Sequence, residues 1–549
     1  MKANILARRV AALTLPAVLV ACGGGGSGDI VAPIAPTPPG ALSISGTAAT
    51  GAAIVGGTVN VKCAAGTSSP ATTIANGSYT ITVTGGTLPC VLRVDYGTES
   101  LHSLVEANGG AAVRANVTPF TQLIAAQVAG GDPASLYTTF DASAQTKLSA
   151  ATVASAITTV TAALAGTANF AGANPLTTTF VIGDAFDQQL DAFKAALVKA
   201  QVSLSDVTTT LVASGGTAAP LLTLLQPAAA TCAGLRSGRY RFINPRESDP
   251  KWANHVFQFN ADTLTATYWD GTSETLVDKG GCSFTVGGTA QLLVTKSGVT
   301  IARDTPTATP TQTNVSIVIP EQTIALNELA GTWNAMGYVR DTALGPLKPS
   351  NAAFTLGATG QFSAGSDCHG VSACTVWTAM PGNVTAGTAG GFEFSDGVDT
   401  YKVFAFKAAN GQLSLYVLEP NGSGFSVAAK QQALSLPTVG AMNSAWDFTI
   451  NSTGYASTLG ESATTVKAVD TTAQSFTRER ASDGRIDSFH INNPRNGMRH
   501  RAAGSSLDKF GATVTFPEII SMPLPGTGIG VFSSVAANQN FFGVSVNKP

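Results

Sequence analysis

The chain has 549 residues, with 31 basic and 33 acidic side chains and a net charge of −2. Charged residues make up 12%, about half the usual share, and no run or helix face is basic; this excludes the clustered positive footprint of a nucleic-acid binder. With 44% apolar residues and 25 phenylalanines, the chain can bury cores over most of its length, which suits about three or four domains.

Lys2, Arg8 and Arg9 precede a short apolar stretch, Val10 to Ala21, interrupted by Pro16 and ending Leu19-Val20-Ala21-Cys22. A charged start, a short apolar run and a small-residue end form a secretory signal, too short for the about 20 apolar residues that a membrane span needs. No later stretch approaches that length. The Leu-Val-Ala-Cys ending resembles the lipobox of bacterial lipoproteins. The resemblance implies a signal peptide over 1–21, cleavage before Cys22 and acylation of Cys22, palmitate included. It also implies attachment to the outer membrane, because Gly23 stands where an inner-membrane retention Asp would be. Residues 22–40 then form the tether: Gly23 to Gly28 is flexible, and Pro33, Pro36, Pro38 and Pro39 stiffen its second half.

Six cysteines remain after Cys22, an even number suited to an oxidising compartment. About fifteen pairings exist for six cysteines. The simplest are local: Cys63–Cys90, Cys232–Cys282 and Cys368–Cys374. Chain entropy alone assigns them about 3.6, 4.1 and 2.4 kcal/mol at most. None forms Cys-x-x-Cys, so neither a metal nor another cofactor is expected.

Residues 41–117 alternate in short runs (58–62, 79–83, 91–94) separated by Gly56-Gly57, Asn76-Gly77 and Gly85-Gly86, which predicts a β-sandwich. Thr73-x-x-Asn76-Gly77-Ser78-Tyr79-x-Ile81 resembles the carboxypeptidase regulatory-like, prealbumin-like domain, and implies a recognition or structural module. From 118 to 213 the period becomes helical. Thr118-Pro119 starts one helix, a second runs from Ala144 to Ala165, a third starts near Asp184, and a fourth spans Ser203 to Ala213. Residues 214–231, rich in Gly, Ala and Pro, are expected to be a linker.

From Cys232 the period returns to two. Tyr401–Phe406 and Leu413–Val417 predict a hairpin about Asn410-Gly411. A repeat of about 100 residues is visible in Gly238-Arg239-Tyr240, Gly331-Thr332-Trp333 and Ser444-Ala445-Trp446. It divides the half into units 232–325, 326–435 and 436–549. The expected fold class is therefore mostly β and multidomain: an N-terminal sandwich, a helical middle and C-terminal antiparallel barrels or one repeat β-structure. Leu329-Ala330-Gly331-Thr332-Trp333 resembles the Gly-x-Trp opening strand of lipocalin-type barrels. That resemblance implies Trp333 as a barrel plug and a cavity for an apolar small molecule.

Catalytic signatures are absent from the sequence: there is no nucleophile elbow, His-Glu-x-x-His, Walker loop or EF-hand loop. None of His102, His255, His369, His490 and His500 stands four residues from another. Asp367-Cys368-His369-Gly370 joins an acid, a thiol and an imidazole, but Cys374 lies six residues on, at disulfide range. Asp483-Gly484-Arg485-Ile486-Asp487 lacks the full calcium-loop pattern and is expected to be a β-turn. Arg478, Arg480, Arg485, His490, Arg495, Arg499, His500 and Arg501, with Asn492 and Asn493, form the one basic patch, able to fork onto phosphate or an acidic saccharide. The expected function is a non-enzymatic envelope lipoprotein that binds or scaffolds, its partners being the membrane, an envelope protein, a saccharide or an apolar ligand. The alternatives are a lipocalin-like carrier and a polymer hydrolase.

Overall fold

Alternation sets the first sheet. Leu42 and Ile44 are buried opposite Tyr79, Ile81 and Val83, so strand Leu42–Thr47 pairs with the first half of the 19-residue strand Ser78–Tyr96. The second half pairs with Thr58–Thr67 and with Glu99–Val105. In this computed structural model the described residues are 40–244, 255–340, 345–369, 371, 373–388, 390–535 and 540–549, and they are mostly β. The expected signal, Cys22 and the tether up to Pro39 lie outside them. Asn76-Gly77 makes the expected turn: Gly77 has φ +79°, and a Cβ there would stand 2.5 Å from the Ala48 carbonyl oxygen. The Cys63–Cys90 bridge joins two residues directly opposed in the sheet.

Seven helices come next among the described residues: α1 (Pro119–Ala129), α2 (Pro133–Thr138), α3 (Ala142–Thr146), α4 (Ala150–Ala163), α5 (Ala185–Ala200), α6 (Leu204–Ala213) and α7 (Ala218–Leu224). Thr118 caps α1, its hydroxyl accepting from Thr121 N–H at 3.3 Å, with Pro119 in the first position. Asp184 caps α5 by accepting from Phe186 and Asp187 N–H at 2.9 and 3.0 Å. The single helix expected from Ala144 to Ala165 is divided. Ser149 leaves the helical backbone and accepts from Thr152 N–H at 3.2 Å, which starts α4 anew. Residues 214–231 also differ from the expected linker. They carry α7, with Pro220 tolerated in its first turn and Leu221 fully buried. Lys407 ties this stretch to the β half by donating to Ser214 O at 3.2 Å and Thr217 Oγ1 at 2.7 Å.

The β half is three up-and-down barrels. The first has nine strands from Gly238–Ile243 to Asn314–Pro320, its first and last strands paired, with a seam between Ser273–Thr275 and Val277–Gly280. The second repeats that order with nine strands from Gly331–Arg340 to Gly424–Lys430, its seam between Ala373–Val376 and Thr385–Ala386. The third closes fully with eight strands from Met442–Ile450 to Phe542–Asn547 and carries an extra hairpin, Gly504–Leu507 with Thr513–Phe516. Cys232–Cys282 lies in the first barrel region and Cys368–Cys374 in the second.

The sequence repeat has a structural counterpart. Gly238 and Gly331 share φ +138° at the opening of their barrels. Two residues on, Tyr240 Oη accepts from Arg236 N–H at 3.0 Å and donates to Arg236 O at 2.9 Å, while Trp333 Nε1 donates to Leu329 O at 2.9 Å. Both rings thus turn back onto backbone just upstream and are buried. The Asn410-Gly411 hairpin forms as expected, with Gly411 at φ +78° pressed onto the end of α6; a Cβ would stand 1.9 Å from Ala213 O.

Part of each barrel's outer face is buried too. Ile301 and Ile317 of the first, Tyr416 and Val427 of the second, and Phe542 and Val544 of the third share one apolar core. In the strands that reach this junction, residues point alternately into their own lumen and into the shared core.

Candidate ligand-binding lumens

In the first barrel the inward positions recur every second residue. Tyr240 and Phe242, Phe257 and Phe259, Ala290 and Leu292, then Thr300, Ala302 and Asp304 line a lumen of about 370 Å³. Their strand neighbours Ile243, Leu293, Ile301 and Ile317 point outward into the junction. The space exists because Ala266, Ala290, Ala302 and Ser316 stand where larger side chains would close it. An aromatic wall runs along one side: Tyr240 stacks on Phe257 with centroids 5.7 Å apart, Phe257 meets Tyr268 at 5.8 Å, and Tyr268 meets Trp269 at 5.7 Å. Trp269, 40% exposed, marks the outer end of that wall.

Polar groups are few and placed. Tyr268 Oη donates to Glu274 Oε2 at 2.8 Å, and burial, then Glu274, raises the phenol above its ordinary pKa. Asp304 Oδ1 is buried in the lumen wall with no hydrogen-bond partner among the described residues. A buried carboxylate oxygen without a donor is costly unless something supplies one. The lumen can therefore take an apolar body and offers an acceptor for one donor group.

The second barrel has a smaller lumen, about 240 Å³, lined by Ala335, Ala352, Phe354, Phe362, Phe394 and Tyr401 among others. Phe394 and Tyr401 stack at 4.7 Å. Glu419 accepts from Ser426 Oγ at 2.9 Å inside it, and burial pushes its carboxyl above the usual range. Trp333 packs with Leu329 and Leu356 in this barrel's core, and Lys430 Nζ lies 5.5 Å from its ring centre.

The third barrel takes the basic patch apart. Phe476, Arg478 and Arg480 share one face of strand Ser475–Arg480; Asp487, Phe489 and Ile491 share the facing side of Ile486–Ile491. Arg499 and Arg501 join them from the next strand, with guanidinium carbons 5.8 Å from the Phe476 and Phe489 ring centres respectively. The opposite parity of this wall holds Trp446 and Ile520, which pack in the common junction, so the arginines face the lumen. His490 and His500 point the other way; His500 Nε2 lies 2.8 Å from Glu518 Oε1. Arg485 stands at the barrel edge over Phe516, at 5.8 Å. Arg495 leaves the patch altogether: its guanidinium bonds Asn334 Oδ1 at 2.8 Å, Ala352 O at 3.3 Å and Cys368 Sγ at 2.9 Å, bracing the third barrel against the second.

The remaining motifs are structural. Cys368 is disulfide-bonded, so it offers no thiolate. Asp483 Oδ1 accepts from Arg485 N–H at 3.1 Å in a turn, and Asp487 is held by two arginines, which leaves no calcium loop there. No cluster of three or more metal-ligating side chains occurs among the described residues. The lumen residues of the first barrel, Asp304 above all, are not singled out by sequence reasoning. The available signal is Thr300-x-Ala302-x-Asp304, small and polar positions spaced by two.

No protein-family model and no curated protein matches the chain. Among solved structures, a protein of unknown function of the DUF3598 family from Nostoc punctiforme aligns with 41% of this chain and 99% of its own, at 8% identity and a TM-score of 0.14. A likeness of that size bears on neither fold nor function.

Proposed function

We propose that this is a non-enzymatic lipoprotein of the outer envelope, anchored through Cys22, whose first C-terminal barrel binds an apolar small molecule. The reading rests on one observation: a lumen of about 370 Å³, walled by aromatics and kept open by Ala and Ser, with one buried carboxylate oxygen lacking a donor among the described residues. Its size falls within the range of small-molecule pockets, and well-packed cores do not leave such space. The fitting ligand has an apolar body and a hydrogen-bond donor at one end, which meets Asp304. The lipobox-like ending and the Gly/Pro tether support the anchoring; a tether lets the barrels reach away from the membrane surface.

Ala302 tests the site. It is buried in the lumen wall, between Leu292 and Ser316 on the neighbouring strands. Ala302→Phe fills the space without adding charge. Titration with a polarity-sensitive fluorescent dye should give at least about tenfold weaker binding in the variant, or about 1.4 kcal/mol, with thermal stability retained. Unchanged dye affinity in a folded Ala302→Phe protein would remove the first barrel as the site.

A further inference from the structure

The inward face of the third barrel is cationic where that of the first is apolar. Arg478, Arg480, Arg499 and Arg501 face it, against the carboxylates of Asp487 and Asp447. Asp487 is fully used: Oδ1 pairs with Arg478 Nε at 2.8 Å and Oδ2 with Arg501 Nη1 at 2.9 Å. Arg499 has no carboxylate within 4.0 Å and no hydrogen bond from its guanidinium among the described residues. Its Nε is buried without an acceptor. Burial and the nearby Arg478 both press its pKa down, the signature of a cation desolvated beside a like charge.

Burying part of such a group is costly unless an anion and hydrogen bonds offset it. Among the described residues no carboxylate is placed to pair with it; Asp447, on the same face, interacts with Arg480 instead. A guanidinium presents two parallel donors that match a carboxylate or phosphate. Phe476 and Phe489 hold the arginines by their ring faces, Arg478 at 4.5 Å from the Phe489 centre, and leave apolar surface beside the cations. We infer that the third barrel is an oxyanion site, in which Arg499, with Arg478 beside it, binds a phosphate or carboxylate group. This site is separate from the first lumen and does not depend on it.

The test uses the mature chain and two probes, inorganic phosphate and dodecyl phosphate, titrated by calorimetry at constant ionic strength. Wild type should bind, and Arg499→Gln should weaken binding about tenfold or more. Tighter binding of dodecyl phosphate than of phosphate identifies the headgroup of an amphiphile as the source; equal binding identifies the free anion. Absence of heat with both probes, or equal affinity in folded Arg499→Gln, overturns the inference. If Arg499→Gln does not fold, the melting of wild type decides. A rise in phosphate that matched chloride does not reproduce supports the site, and equal rises overturn it. Ala302→Phe should leave phosphate binding untouched.

Discussion

Asp487→Ala is the sharpest test of how the third barrel is held. Asp487 has a side chain only 4% exposed and serves Arg478, at 29%, and Arg501, at 8%. Removing it leaves two guanidiniums in the barrel wall, facing Arg480 and Arg499, without their ion-pair partner. Breaking a buried pair in this way costs about 3–5 kcal/mol, most of it the desolvation of the charges left behind. The loss is local, so hydrogen exchange of peptides over 475–491 reads it, with peptides over 331–340 of the second barrel as the internal reference. Exchange in the third barrel should accelerate by about 10²–10³ or more, since each 1.36 kcal/mol is tenfold. The combined change Arg478→Met, Asp487→Leu and Arg501→Met should recover most of the loss, because it removes the charges together. An acceleration below about tenfold in Asp487→Ala would show that water or a neighbouring group already screens these arginines, and would refute the reasoning.

The same group has a defined pH window. Burial alone would raise the Asp487 carboxyl, but Arg478 and Arg501 outweigh it and hold the pKa below its ordinary value. A carboxylate depressed in the folded state contributes fully above its unfolded pKa, about 3.9, and the contribution is lost as pH falls through the lower folded value. The third barrel should therefore loosen in acid only below about pH 4, and Asp487→Asn should abolish that particular limb. Elsewhere in the chain, Cys22→Ala should block incorporation of labelled palmitate and leave an uncleaved or soluble form; labelling that persists would remove the anchoring from the proposed function. Limited proteolysis should spare residues 214–231, because Leu221 is buried and Lys407 grips Ser214 and Thr217; early cleavage there would contradict the packing of α7.

The parts of the fold legible in the sequence are those where one face of an element is wet. The cap at Thr118, the helix start near Asp184, the turn at Asn76-Gly77 and the hairpin at Asn410-Gly411 are local chemistry and appear as expected. Helix α3 and its break at Ser149 are not, since the apolar residues around Leu148 keep a helical spacing across the break. The lumens are the hardest to see, for a physical reason. Strand Asn314–Pro320 is buried on both faces, Ser316 and Val318 toward the lumen and Ile317 and Ile319 toward the junction or core. Burial on both sides erases the alternation that would separate inside from outside.

Polarity at spacing two survives that erasure. Arg478-x-Arg480 and Arg499-x-Arg501 each place two guanidiniums on one face of a strand, and pairing on either side of Ile486–Ile491 brings the pairs onto one lumen face. Taken by residue count alone the same arginines make a patch that includes Arg495, His490 and His500, none of which faces the lumen. Thr300-x-Ala302-x-Asp304 carries the corresponding signal in the first barrel. Where neighbouring barrels bury each other's outer walls, apolar side chains say little about which way they point. The small and charged residues at every second position are then the ones that mark a lumen and the chemistry it accepts: among the described residues, a carboxylate oxygen without a donor in the first, and a guanidinium nitrogen without an acceptor in the third.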